Sequence, residues 1–224
     1  MNTHKREKFQ TMQSFREEFG VGFTTNHTGK MTGFASLSTS PIHNTFCVAR
    51  SKCKGTICEH CYSIAMQLQY KNLSRMLAKN LEVLTTQLIP VEKWPIVNAL
   101  MFRLESFGDV QNETQVLNYF NFCRRNPRVQ FTVWTKNLAV YKSALKVAEK
   151  PENLIIIASS PVINEPMDVS AYDFVDKVFT VYTKEYVALH GVKINCGAKS
   201  CLNCGTNSCY NRDSTVFYVN ELLK

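Results

Sequence analysis

From residue 97 onward the apolar pattern alternates between two periods, and that alternation constrains the fold more than any other feature of the chain. Residues 97–105 read as a strand. Residues 113–125 read as a helix with Val116, Leu117, Phe120 and Cys123 on one face. A strand over 129–134, a helix over 138–149, a continuously apolar strand over 154–158 and a short strand over 177–181 follow. Strands that alternate with helices through brief connections build parallel βαβ units. An apolar run with no polar alternation suits a strand covered on both faces. The pattern predicts an α/β chain, either a partial (βα) barrel or an open, mostly parallel sheet, with residues 97–182 as its core. The 224 residues suffice for one domain with a sizeable core.

Eight of the nine cysteines lie outside that core, in two groups of four. Cys47, Cys53, Cys58 and Cys61 fall in a loop over 45–61, and Cys196, Cys201, Cys204 and Cys209 in a loop over 195–210. Both contain C-x4-C-x2-C. Thiolates at this density serve metal coordination or disulfides. The N-terminus, MNTHKREKFQ, has no apolar stretch behind it, so a cytoplasmic setting is expected, where clustered cysteines bind metal. Zinc loops usually carry two C-x2-C pairs and each group here has one; C-x4-C-x2-C is an iron–sulfur spacing. One or two [4Fe-4S] clusters are therefore expected, with zinc as the alternative. The 195–210 loop is poor in apolar residues, so a metal would have to order it. His43 and His60 flank the first group as further candidate ligands. Cys123 reads as a core thiol.

Ligands of parallel sheets bind beyond the carboxyl ends of the strands. Those ends are polar here: Glu105-Ser106-Phe107-Gly108-Asp109, Thr135-Lys136-Asn137 and Ser159-Ser160-Pro161. Glu105, Asp109, Lys136 and Asn137 are the candidate cofactor-binding residues. Asn112 and Asn137 also suit helix caps.

The remaining segments are more local. Residues 5–19 predict an amphipathic helix with Phe9, Met12, Phe15 and Phe19 inward, closing a unit over 1–20. Residues 31–37 read as a strand and 59–88 as one long helix, free of internal Gly or Pro, with Leu68, Leu73, Leu77, Leu81 and Leu84 apolar. Cys58 and Cys61 then lie at that helix's N-terminus, which favours anionic groups. A strand over 216–219 and a short terminal helix end the chain. No stretch is long and apolar enough for a membrane span. Residues 1–80 carry eleven Lys/Arg against four Asp/Glu, a surplus that permits nucleic-acid contact, with Phe19, Phe23 and Phe34 as stacking surfaces.

Four motifs in combination resemble the phage-encoded gene product 88 family: NTFCVARSKCKGTICEHCYS over 44–63, RLESFGDVQN over 103–112, FTVWTKN over 131–137, and the C-terminal C-x2-C-x4-C-Y. The resemblance covers residues 30–224 and implies a phage setting, the host cytoplasm and cysteine-bound metal. A more distant likeness is to radical S-adenosylmethionine enzymes, whose three cysteines, usually C-x3-C-x2-C, follow the first strand of a partial barrel. That likeness implies a [4Fe-4S] cluster on Cys53, Cys58 and Cys61, S-adenosylmethionine as cofactor, and an auxiliary cluster on the second group. This chain departs from it in the x4 spacing and in lacking a Gly-Gly-Glu step, for which Glu105 or Asp109 would substitute. Cys47 as a fourth ligand would close the open iron. The expected function is an iron–sulfur protein, in its most specific form a minimal radical S-adenosylmethionine-like enzyme. The alternatives are a zinc-stabilised nucleic-acid-binding protein and a structural or host-interaction protein stapled by its clusters. No motif names a substrate.

Overall fold

The computed structural model describes residues 10–205 and 208–223. Six strands form one sheet: β1 (Ala35–Leu37), β2 (Met101–Leu104), β3 (Gln130–Thr135), β4 (Leu154–Ser159), β5 (Lys177–Tyr182) and β6 (Tyr218–Leu222). Every pairing is parallel, and the strands lie side by side in chain order. The expected parallel α/β architecture is what the chain adopts, as an open sheet. Right-handed crossovers that always step the same way stay on one face of such a sheet. That face carries the core. Register places Phe102 beside Phe131 and Phe131 beside Leu154, then Leu104 beside Val133 and Val133 beside Ile156. Against these residues pack Leu84 of α4 (Lys71–Thr86), Val116, Phe120 and Phe122 of α5 (Glu113–Arg125), and Leu138 and Tyr141 of α6 (Leu138–Ala144). All six residues of β4 are buried, the central strand that its apolar run predicted.

The opposite face bears Arg103, Thr132, Trp134, Ile155 and Ile157, since side chains alternate along a strand. The C-terminal segment covers it. Tyr210 sets its ring 4.8 Å from Phe34 and 5.9 Å from Trp134. Lys177, buried on β5, donates to the carbonyls of Ser214 and Val216.

At the N-terminus, Thr11 and Ser14 form a reciprocal capping box on α1 (Met12–Phe19), and Gly20 closes the helix at φ 75°. Phe15 stacks on Trp94 at 4.8 Å. The expected N-terminal helix is thus present from Met12; residues 5–9, with Phe9, lie outside the described residues.

Several expectations need correction. The helix over 59–88 is two helices, α3 (Tyr62–Gln69) and α4, broken at Tyr70, whose ψ of 95° is extended. The two use different faces. In α4, Leu77, Leu81 and Leu84 enter the core, whereas α3 buries Ser63 and Gln67, and Gln67 donates to Ser40 at 2.8 Å. Leu68 is 69% exposed and lies outside the core. Residues 97–100 are not strand, because the Val97 N–H goes to the Asn126 side chain. The strand over 31–37 keeps only Ala35–Leu37. The helix over 138–149 stops at Ala144. The strand near the C-terminus is shifted to Tyr218–Leu222 and takes the place of the terminal helix. Helix α7 (Lys184–His190) has no counterpart in the sequence reading. Phe34 is buried and offers no stacking surface to nucleic acid, and Phe19 and Phe23 are partly buried against the core.

Candidate metal centre

The tips of β2 and β3 are knotted together by a buried carboxylate. Asp109 accepts from the Val110 N–H at 2.8 Å, the Thr135 hydroxyl at 2.6 Å and the Lys136 N–H at 2.8 Å. Burial raises its pKa, and the Lys136 ammonium pulls the other way. Lys136 extends to the Ser159 hydroxyl at 3.1 Å, so it crosses to the tip of β4. Asn137 stands where a cap would, but its amide donates to the Val110 carbonyl instead and takes no part in the cavity described below. Asn112 does cap α5.

Glu105 follows β2 with φ 53°, a left-handed backbone that few non-glycine residues adopt. Its carboxylate accepts from the Thr39 N–H and hydroxyl, the Gln115 amide and the Tyr119 hydroxyl. Burial raises its pKa to about 8 against those donors. Three of these bonds reach Oε1 and one reaches Oε2, and Glu105 lines the cavity described below. Gly108, at φ 79°, completes this turn: a Cβ there would stand 2.6 Å from the Thr39 carbonyl.

The first cysteine group is part helix and part loop. Asn44 caps α2 (Thr45–Ser51) by accepting from the N–H groups of Phe46 and Cys47, which fixes Cys47 in the first turn. Cys61 is the N-cap residue of α3. Cys58 lies just before it, pinned where Ile57 N–H donates to the Pro161 carbonyl and Thr56 bridges Val162. Cys47, Cys58 and Cys61 all line one cavity of about 750 Å3. Burial, reinforced by Asp109 and Glu105, raises the pKa of the Cys47 thiol. Burial raises Cys58 too, while Lys136 and Arg50 pull it down. Cys53 is exposed, does not line the cavity and turns its thiol toward the Ala49 carbonyl at 3.7 Å. Of the flanking histidines, His60 lines the cavity, and His43 is instead hydrogen-bonded to Ser40.

The second group approaches the same cavity from the C-terminal segment. Cys196 bridges Glu221 of β6 in parallel, and the Cys201 N–H donates to the Lys30 carbonyl near the start of β1. Lys30 pairs with Glu221 and donates to the Cys196 thiol at 3.6 Å. This segment thus ties one edge of the sheet to the other. All four of its cysteines line a small space of about 30 Å3, and Cys196, Cys201 and Cys209 also face the large cavity. Burial, with Cys196 nearby, pushes the Cys209 thiol up to about 12.

Cysteines from two distant loops therefore share one cavity at the carboxyl ends of the strands, and the segments that build it run through most of the chain. The Gene product 88 family model matches residues 12–216. The chain belongs to the Gene product 88 family, a family of phage proteins. The match includes α1 as well as the stretch from residue 30 whose motifs carried the resemblance. No curated protein and no solved structure matches the chain.

In this family member the cavity size suits a small molecule, for which about 300–1,000 Å3 is usual. Its walls include Phe46, Tyr62, Trp134 and Phe179. Three of its cations escaped the sequence reading. Arg103 lies flat over Trp134 at 3.4 Å, Arg50 stands near Phe46, and the buried Nε atoms of both arginines lack a hydrogen-bond partner among the described residues; Lys30 is the third. The signal for Arg103 was available: a charge inside the strand MFRL must face away from the core.

Thiolates are soft donors of the kind that bind metal groups, and seven of the eight clustered cysteines line the two spaces. None of the nine cysteines is in a disulfide. Among the described residues, no three His, Cys, Asp or Glu side chains close on one point as they do around a single ion. A tetrahedral zinc would hold its thiolates about 3.8 Å apart; the corners of an iron–sulfur cubane are spread wider.

Proposed function

We propose that this Gene product 88 family member is an iron–sulfur protein whose two cysteine groups hold clusters on facing walls of a small-molecule cavity. One observation carries the reading: cysteines from the first and the last crossover line the same cavity, at the strand ends where parallel sheets bind ligands. The second group, whose four thiols line one small space, is suited to a four-thiolate cluster that ties β6 to the residues before β1. The first group opens on the cavity beside Asp109, Lys136 and Ser159. Bound clusters would supply one-electron chemistry there. The chain's own part is to keep the cavity lined by aromatic and aliphatic walls, to hold Lys136 across two strand tips, and to place Arg50 and Arg103 against the negative charge of the thiolates. The reducing host cytoplasm is the compartment in which such thiolates persist.

S-adenosylmethionine is the cofactor class that this proposal tests first. The cavity has room for it beside the first group. Glu105, Asp109 and Lys136 line the cavity as the cofactor's candidate polar contacts; Oε1 of Glu105 already accepts from Thr39, Gln115 and Tyr119, while Oε2 accepts from the Thr39 N–H alone.

The test is iron, zinc and acid-labile sulfide content, with an absorption spectrum, on full-length protein purified without oxygen. Iron and sulfide in equal amounts, with a brown chromophore bleached by dithionite, is the expected result. A shift of the reduced cluster's electron paramagnetic resonance on adding S-adenosylmethionine supports that cofactor, and an unchanged signal removes it. Stoichiometric zinc without iron makes the metals structural and overturns the proposal.

A further inference from the structure

We propose that the first group is a three-thiolate site: Cys47, Cys58 and Cys61 hold a cluster whose fourth corner faces the cavity, and Cys53 is not a ligand. This rests on the iron–sulfur reading above and goes beyond it by fixing the ligand set.

Spacing alone favours Cys53, Cys58 and Cys61, because they repeat the C-x4-C-x2-C of the second group. The folded loop separates them. Cys47 is held by the Asn44 cap, Cys61 by the start of α3, and Cys58 by the contacts of Thr56 and Ile57 with the loop after β4. Three independent anchors hold these residues where all three line the cavity. Cys53 belongs to a self-contained bend on the outside. The Cys53 carbonyl accepts from the Thr56 hydroxyl at 2.8 Å. Glu59 accepts from the Gly55 N–H at 2.9 Å and pairs with Lys54 at 2.7 Å. Turning Cys53 inward would break the bend and pull Thr56 and Ile57 off the β4 loop, which would carry Cys58 away from the wall. The Cys53 thiol is exposed, while the other three are half-buried.

Three thiolates on a four-iron cluster leave one iron without a cysteine. Asp109, Lys136 and Ser159 line the same cavity, on the strand-tip side. An iron without a thiolate is also the one lost on oxidation. A [4Fe-4S]2+ cluster then gives [3Fe-4S]+ and Fe2+, with one electron passing to the oxidant.

The experiment compares Cys47→Ser, Cys53→Ser, Cys58→Ser and Cys61→Ser in the full chain, purified without oxygen, by iron and sulfide content and by electron paramagnetic resonance. Cys53→Ser should keep the iron and sulfide of the wild type. Each of the other three should lose the first group's share, about half of the total when both groups carry four irons. Limited ferricyanide should convert wild type and Cys53→Ser alike to the three-iron signal, a readout that holds even where a serine variant fails to fold. Iron lost from Cys53→Ser as from Cys47→Ser, or kept in Cys47→Ser, overturns the assignment, as does a cluster that yields no three-iron form. Wild type without iron fails the underlying reading instead, so the two failures are distinguishable.

Discussion

Glu105 shows what one residue can decide here. Four donors converge on a carboxylate that burial alone would keep protonated. Its folded pKa rises from 4.5 to about 8. Across that window the folded chain keeps a proton that the unfolded chain has released, so stability should fall as pH rises through it. Thermal unfolding of wild type and Glu105→Gln checks this: the wild-type midpoint should drop between those values more steeply than the variant's, and parallel slopes would contradict it. Gly108→Ala should cost about 1–3 kcal/mol in denaturant unfolding, since the left-handed backbone leaves a Cβ 2.6 Å from a carbonyl oxygen. The polar strand tips were legible as a site. That Thr39 and Tyr119 hydrogen-bond Glu105 was not, because those partners are distant in sequence and only folding brings them together. That Cys53 stands outside the cavity was hidden for a related reason: spacing shows which thiols are near along the chain, and a bend then turns one of them outward.

At the scale of elements, the core hangs on an aromatic stack beneath the sheet. Trp94 lies 4.8 Å from Phe15 and 4.9 Å from Phe122, and Phe122 meets Phe131 edge-on at 5.0 Å. Phe122→Ala should destabilise the fold by about 3–5 kcal/mol in urea unfolding, the cost of an aromatic-sized cavity; a loss under about 1 kcal/mol would mean the site collapses around the gap. Phe122 faces inward on α5, yet its neighbours Val116, Leu117, Phe120 and Cys123 carried the helical pattern in the sequence. The strands and helices from 101 to 182 were legible because each has a long enough apolar pattern. The break at Tyr70 was not: no glycine or proline marks it, and it arises because α3 must carry Cys61 to the cavity while α4 presents its leucines to the core. Helix α7 buries no residue, so it left no apolar signal.

Across the whole molecule, the first and last crossovers carry the two cysteine groups, and the parallel sheet brings them to one cavity. The C-terminal segment is anchored by Tyr210, the Lys30–Glu221 pair, the backbone link from Cys201 to Lys30 and the Lys177 bonds to Ser214 and Val216, and the stretch around its cysteines is poor in apolar residues. Stripping the metals with a chelator should therefore speed proteolysis within 195–216 several-fold and leave the β1–β5 core resistant, as limited proteolysis with mass spectrometry would show. Equal protection with and without chelator would mean that metal does not order this segment. Among the described residues no helix is long and apolar enough to cross a membrane. The most direct measurement of the central claim is anomalous diffraction at the iron edge from crystals grown without oxygen. Two iron centres should flank the cavity, one at Cys47, Cys58 and Cys61 and the other at Cys196, Cys201, Cys204 and Cys209. Zinc in place of iron, or no metal at the first group, would contradict the account.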